Sequence, residues 1–267
     1  MERTEVNLIA GKTLSHHEKL VLDTALDAGV LLMENGAESY RVEETVERIL
    51  SLSEHQAVDV IGLLTGLFVT LTLSDGSYVT ATRRIKVRRM RLDIIRDVNQ
   101  VSRDLSAGEC TIEQAAQTIH ELRLSQKEPP SSPLFMALPA AGFALMSGAS
   151  ILESIVGGLA ACSMIFSTRL VRGRISGNFV PSFLHAFAIT FVLGVIVRFF
   201  PMLHLKYMVI GGLISLFPGT TLTTGIRDTM KADYLSGAGN LLSAIVSAMA
   251  LAAGTFFAMF FTGGRFV

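Results

Sequence analysis

Residues 129–267 carry 8 Lys+Arg and only 3 Asp+Glu, whereas residues 1–128 carry 15 and 20. This division constrains the fold more than any single motif does. The zero formal net charge of the 267-residue chain conceals a front half at −5 and a rear half at +5. An apolar half so poor in charge reads as membrane-spanning, and the charged half as a soluble extension.

Glu128-Pro129-Pro130-Ser131-Ser132-Pro133 is a stiff, polar boundary, and the composition changes directly after it. The predicted organisation is an α+β domain over 1–128, a Pro-rich linker over 129–133, and an α-helical polytopic domain of five transmembrane helices over 134–267. Five apolar segments, Leu134–Ser150, Ile151–Thr168, Ile175–Val197, Tyr207–Gly225 and Leu235–Thr262, each approach the ~20 residues that cross a ~30 Å hydrocarbon core. Arg169, Arg172, Arg174, Arg227 and Lys231 fall in loops on one side, and Arg198, Lys206 and Arg265 on the other. The basic excess places the N-terminus in the cytoplasm and the C-terminus outside. No basic run with an apolar core and a small-residue cleavage site opens the chain, so no cleaved signal peptide is expected. Cys110 and Cys162 stand apart from any Cys/His cluster, and neither a disulfide nor a metal site is expected.

In the front half, apolar residues recur at helical spacing from Glu18 to Glu34 and stop at Asn35-Gly36. A second helix covers 37–50, with Val42, Val46, Ile49 and Leu50 as its buried stripe. Leu67–Ser74 and Ser77–Thr82 alternate around Asp75-Gly76, the signature of a β-hairpin, and Val58–Ile61 is a candidate third strand. Two more helices are predicted over Met90–Ser106 and Thr111–Leu124. Arg83-Arg84-Ile85-Lys86-Val87-Arg88-Arg89-Met90-Arg91 could meet anionic headgroups or a nucleic acid. The plainer reading is a solvated strand end in an acidic domain, and no nucleic-acid partner is expected. Gly11-Lys12-Thr13 lacks the earlier glycine of a phosphate loop.

Within the rear half, Phe217-Pro218-Gly219-Thr220-Thr221-Leu222-Thr223-Thr224-Gly225-Ile226-Arg227-Asp228 is out of place for lipid. Pro218 removes a donor, Gly219 loosens the helix, and four threonines and a charged pair follow. The stretch reads as a substrate-path element, or else as a helix end with a Pro-Gly turn and a threonine-capped loop. Glu153 is an acid in a span, serving a pathway or a buried interface. Asn178 and His185 share a face, for a pathway or for interhelical hydrogen bonds. Asn240 follows Ser236-Gly237-Ala238-Gly239, which permits close helix approach, as do Gly157-Gly158 and Gly211-Gly212. Asp233 could couple protons, bind an amino group, or pair with Arg227. Glu38, Arg41 and Glu43 at a helix start form either a ligand or regulatory site, or a cap with salt bridges.

Gly36-Ala37-Glu38-Ser39-Tyr40-Arg41-Val42-Glu43 together with Pro218-Gly219, Arg227-Asp228 and Asp233-Tyr234-Leu235-Ser236-Gly237 resembles the threonine/serine exporter family, and Thr82-Arg83-Arg84-Ile85 adds to the likeness. The resemblance runs through almost the whole chain. It implies a bacterial plasma (inner) membrane exporter of small polar metabolites: threonine/serine-like amino acids, or dicarboxylates such as succinate. It also implies that this chain is the larger half of a split exporter, with a second, smaller membrane subunit; a homo-oligomer is a further arrangement. Gly239-Asn240 and Thr224-Gly225 depart from the family's common pattern and leave the solute open. The lipid bilayer and a small polar solute are the expected partners, with no cofactor and no catalytic residues. A membrane hydrolase would need more than Ser147-Gly148 and His185, since no GxSxG or HExxH occurs. The alternative is a regulatory or scaffolding membrane subunit with no transport pathway of its own.

Overall fold

The computed structural model describes residues 6–9, 14–53, 55–85, 89–125, 132–171, 177 and 179–263. Gly11-Lys12-Thr13, the centre of the Arg-rich run at 86–88, most of the Pro-rich boundary, Arg172, Arg174, Asn178 and Arg265 lie outside the described residues. The chain forms two compact units. One comprises Met1–Glu128 with Thr224–Gly239, the other Pro129–Thr223 with Asn240–Val267.

The first unit packs helices on an antiparallel sheet. Strand β1 (Val6–Ile9) precedes helices α1 (His16–Glu34) and α2 (Ser39–Leu50). Ser15 and Glu18 close a capping box at the start of α1, satisfying donors that a helix N-terminus leaves open. Gly36, at φ +89°, turns the chain out of the helix, a conformation glycine adopts without steric cost. Strands β2 (Ala57–Leu63), β3 (Gly66–Thr72) and β4 (Tyr78–Arg84) follow, in sheet order β1-β4-β3-β2. At the β3–β4 turn the Ser77 amide donates to Asp75 Oδ1 at 2.9 Å, and Gly76 takes φ +80°. Register Leu71↔Val79 and Val69↔Ala81 puts these four side chains on one buried face. Helices α3 (Leu92–Ser106) and α4 (Ile112–Leu124) complete the layer, α4 opening on a Thr111–Gln114 capping box.

Gly29 marks the tightest point of this core. A Cβ there would lie 2.5 Å from Leu67 Cδ2 and 2.7 Å from Val46 Cγ2, so α1, α2 and β3 meet where only a hydrogen fits. Two expectations are refined. The sheet gains β1, which pairs Val6↔Ala81 and covers the edge of β4. Its partner lies far along the chain, so four residues of local pattern could not announce it. The Arg-rich run is partly engaged within the unit. Arg83 pairs with Asp23 at 3.3 Å and Asp27 at 3.8 Å on α1, and Arg91 with Asp93 at 2.5 Å.

The second unit holds α5 (Pro133–Met146), α6 (Ile151–Ala161), α7 (Met164–Val171), α8 (Phe179–Phe199), α9 (Leu205–Ile214), the start of α10 (Gly219–Met230) and most of α11 (Tyr234–Thr262). Three helical stretches are long and apolar enough to cross a membrane: Ile151–Arg169, Phe179–Phe199 and Tyr234–Thr262. The bent pair α9–α10, at 56°, makes a fourth if taken as one broken span. Five spans are therefore not what the described residues form. The difference lies in α5, whose 14 residues extend only about 21 Å at 1.5 Å per residue. Small residues set the helix crossings. A Cβ on Gly158 would stand 2.8 Å from the Ala137 carbonyl oxygen, and one on Gly211 2.7 Å from the Ala144 nitrogen, the close backbone approach that glycine permits between apolar helices.

Candidate functional site

Most of the charged candidates gather in the first unit, around the α10–α11 turn. There the chain reverses through Ala232, at φ +66°. The Asp233 amide bonds to the Asp228 carbonyl at 3.0 Å and the Ala232 amide to the Thr229 carbonyl at 3.1 Å, the paired bonds of a Schellman-type helix end. Asp233 then caps α11, its Oδ1 accepting from the Ser236 amide at 3.3 Å. Its Oδ2 is buried and has no hydrogen-bond partner among the described residues. Gly237 lets the two helices touch: a Cβ there would lie 2.9 Å from the Thr229 nitrogen and 3.1 Å from the Gly225 carbonyl oxygen.

This turn meets α2 and β2 through one glycine. The Gly62 amide donates to Glu43 Oε1 at 2.9 Å, and the Gly62 carbonyl accepts from Ser236 Oγ at 3.2 Å. Gly62 thereby joins an acid on α2 to the start of α11 through its own backbone. Arg227, on the last turn of α10, pairs with Glu38 at the start of α2. Arg41 stands 3.9 Å from the other Glu38 oxygen, and the Lys231 ammonium lies 5.4 Å from the centre of the Tyr40 ring, within cation–π range. Asp228 is 1% exposed, in contrast to Arg227, whose side chain is 57% exposed.

Burial pushes the Glu43 carboxyl above its usual range. The Gly62 amide opposes that push, and the carboxylates of Asp233, Glu47 and Asp228 reinforce it. The sign follows from linkage. A carboxyl raised in the folded state loses stability as pH climbs from its unfolded value through its folded one, because ionisation is resisted only in the fold. Glu43→Gln keeps an acceptor for the Gly62 amide and removes the charge. It is therefore expected to stabilise the first unit at neutral pH, with the gain vanishing below about pH 4 where the unfolded carboxyl is also protonated. Melting temperatures of both proteins across pH 4–8 check this; a pH-independent difference contradicts it.

The other candidates lie elsewhere. Pro218 sits in the break before α10, and Gly219 opens that helix with no atom near its Cβ direction. Thr220, Thr221, Thr223 and Thr224 belong to its first two turns rather than to an unwound loop. Thr223 Oγ1 bonds back to the Gly219 and Thr220 carbonyls at 3.1 and 2.9 Å. Glu153 is 4% exposed. It closes a capping box with Ser150 and accepts from the His204 amide at 2.7 Å and from Nδ1 of its ring at 2.8 Å. His185 shares a 3.1 Å hydrogen bond with Thr168 Oγ1. Ser147 donates to the Phe143 carbonyl at 2.8 Å, so Ser147 and His185 are each bonded elsewhere. Asn240 is buried at 2% exposure. Sequence reasoning passed over Gly62 and His204, and read Ser236 only as part of a small-residue run and a family motif. Only Ser150-x-x-Glu153 carried a readable signal, since a Ser three residues before a Glu opens many helices.

No curated protein and no solved structure matches the chain. A family profile does, over residues 23–262, and its description is "Putative threonine/serine exporter" (ThrE). The match runs from within α1 to the last residue of α11, taking in the α2 start, Gly62, the broken α9–α10 pair and the α10–α11 turn. With its apolar helices and nearly complete coverage by that profile, the chain belongs to the threonine/serine exporter family of membrane transporters.

Proposed function

We propose that the chain is a subunit of a secondary exporter in a bacterial inner membrane, with the first unit in the cytoplasm and the C-terminus outside. The solute is a small polar metabolite bearing a carboxylate, an amino acid of threonine/serine type or a dicarboxylate. One observation carries the reading: an exposed guanidinium, Arg227, stands at the end of a broken span in the same compact unit as an acidic group formed by half-buried Glu43 with Asp233 and the buried Asp228. Arg227 holds the solute's carboxylate, and the acidic group takes an ammonium or a proton. The threonines of α10, on the same helix as Arg227, are further candidates for the solute path, as are His185 and Asn240. Broken helices suit this work because their ends present polar backbone inside an apolar bundle. The domain plan of 1–128, 129–133 and 134–267 is kept for topology. A smaller membrane subunit supplies the remaining spans and the other half of the site.

The test is efflux. Cells loaded with labelled threonine, serine or succinate are compared with and without this chain, alone and co-expressed with a candidate smaller membrane subunit, sought first in the neighbouring reading frame. Faster efflux of one solute is expected, strongest when both subunits are present. Unchanged efflux of all three would leave a regulatory or scaffolding subunit as the better reading.

A further inference from the structure

Glu38 occupies the N-cap position of α2, with φ −70° and ψ 142°, yet its side chain makes no capping hydrogen bond. Ser, Thr, Asp and Asn are the residues that cap from this position, and the longer Glu38 side chain is free to reach further. Glu38 instead sends its carboxylate to Arg227, 189 positions along the chain. It is largely buried, with a side chain 13% exposed beside an Arg227 that is 57% exposed. A carboxylate of the chain itself thus sits on the guanidinium that the proposed function assigns to the solute's carboxylate. Arg41, at 3.9 Å, backs the same Glu38 group, so that group stays attracted toward α2 when Arg227 lets go.

We infer that Glu38 is an in-chain competitor for the solute: its carboxylate holds Arg227 in the empty exporter and is displaced when a solute carboxylate takes its place. This rests on the reading of Arg227 as the solute's anchor. Two carboxylates cannot both take the same face of one guanidinium, so the apparent affinity falls by the fraction of time Glu38 holds Arg227. The pair is open to water on its Arg227 side, and a solvent-accessible guanidinium contact is weak enough to yield to a ligand. The contact therefore raises the solute concentration at which export half-saturates, so that more of the metabolite is retained at low internal levels.

The experiment measures initial efflux against internal solute concentration for the full chain with its partner, for Glu38→Gln, Glu38→Asp, Arg227→Ala and the swap Glu38→Arg/Arg227→Glu. Membrane levels and detergent-solubilised size are checked for each. Glu38→Gln keeps the side-chain volume and removes the competing charge, and its KM is expected to fall about two- to fivefold, the range an exposed pair supports. Glu38→Asp, a shorter acid, is expected to lower KM in the same direction. Arg227→Ala is expected to lose export. The swap restores the ion pair while placing a carboxylate where the solute's own must bind; it is expected to assemble and not to export. Unchanged KM in both Glu38 variants, with Arg227→Ala and the swap inactive, overturns the competitor role and leaves the anchor standing. Export by Arg227→Ala or by the swap overturns the anchor itself, and the competitor with it.

Discussion

Arg227→Ala is expected to lower solute export by about 10- to 100-fold while the protein still reaches the membrane in normal amount. The size follows from losing a hydrogen-bonded charge to the solute, on the order of 1.5–3 kcal/mol, with about 1.4 kcal/mol per tenfold. The sparing of the fold follows from exposure. The Arg227 side chain is 57% exposed, so its removal opens no cavity, and the Glu38 carboxylate it leaves keeps Arg41 at 3.9 Å. Asp228 is the informative neighbour because it is 1% exposed. Asp228→Asn, which keeps shape and hydrogen-bonding capacity, separates loss of charge from loss of packing better than alanine does. Efflux normalised to membrane-inserted protein is the measurement. Normal export by both variants would make the whole α10 end a structural element.

Glu153→Ala is expected to cost about 2–4 kcal/mol of stability, read as a lower melting temperature in detergent, because it strips the acceptor from several donors at once. Ser150 loses its reciprocal cap, and the backbone amide and ring of His204 lose the carboxylate that joins the start of α6 to the start of α9. Glu153→Gln retains an acceptor for the His204 amide and is expected to recover roughly half of the loss. Export per folded molecule distinguishes this role from a pathway role. The capping geometry has both variants losing export only in step with folded protein. A fully folded Glu153→Gln that fails to export would place the acid on the solute's route.

What could be read from the chain beforehand follows a physical line. The Asp75-Gly76 hairpin, the Asn35-Gly36 stop and the Thr111 cap are local chemistry, decided within a few residues. The change of composition at Pro129 announced the apolar half, but not that α5 would be only 14 residues long. Helix length depends on where Pro133 and the Gly148-Ala149-Ser150 turn punctuate the chain. For the candidate site, residue types were legible and partners were not. Arg227 and Asp233 could be imagined as a local pair; in the fold Asp233 caps α11 and Arg227 reaches Glu38. Gly62 had no chemical signature at all, since its part is played by its amide and carbonyl. Contacts across 174 and 189 positions are decided by the packed fold and not by local pattern.

The membership of Thr224–Gly239 in the first unit has a consequence for how the protein is made. Residue 128 leaves the ribosome well before residue 239, a lag of ~110 residues, or about 5–20 s at ~5–20 residues per second. During that interval the Gly62 carbonyl has no Ser236, Glu38 has no Arg227, and the α2 start waits with its charges exposed to water. The unit can close only after α5 to α9 have been synthesised, so its completion is a late event in the making of the chain, and a chain truncated before residue 224 would lack the partners of Gly62 and Glu38.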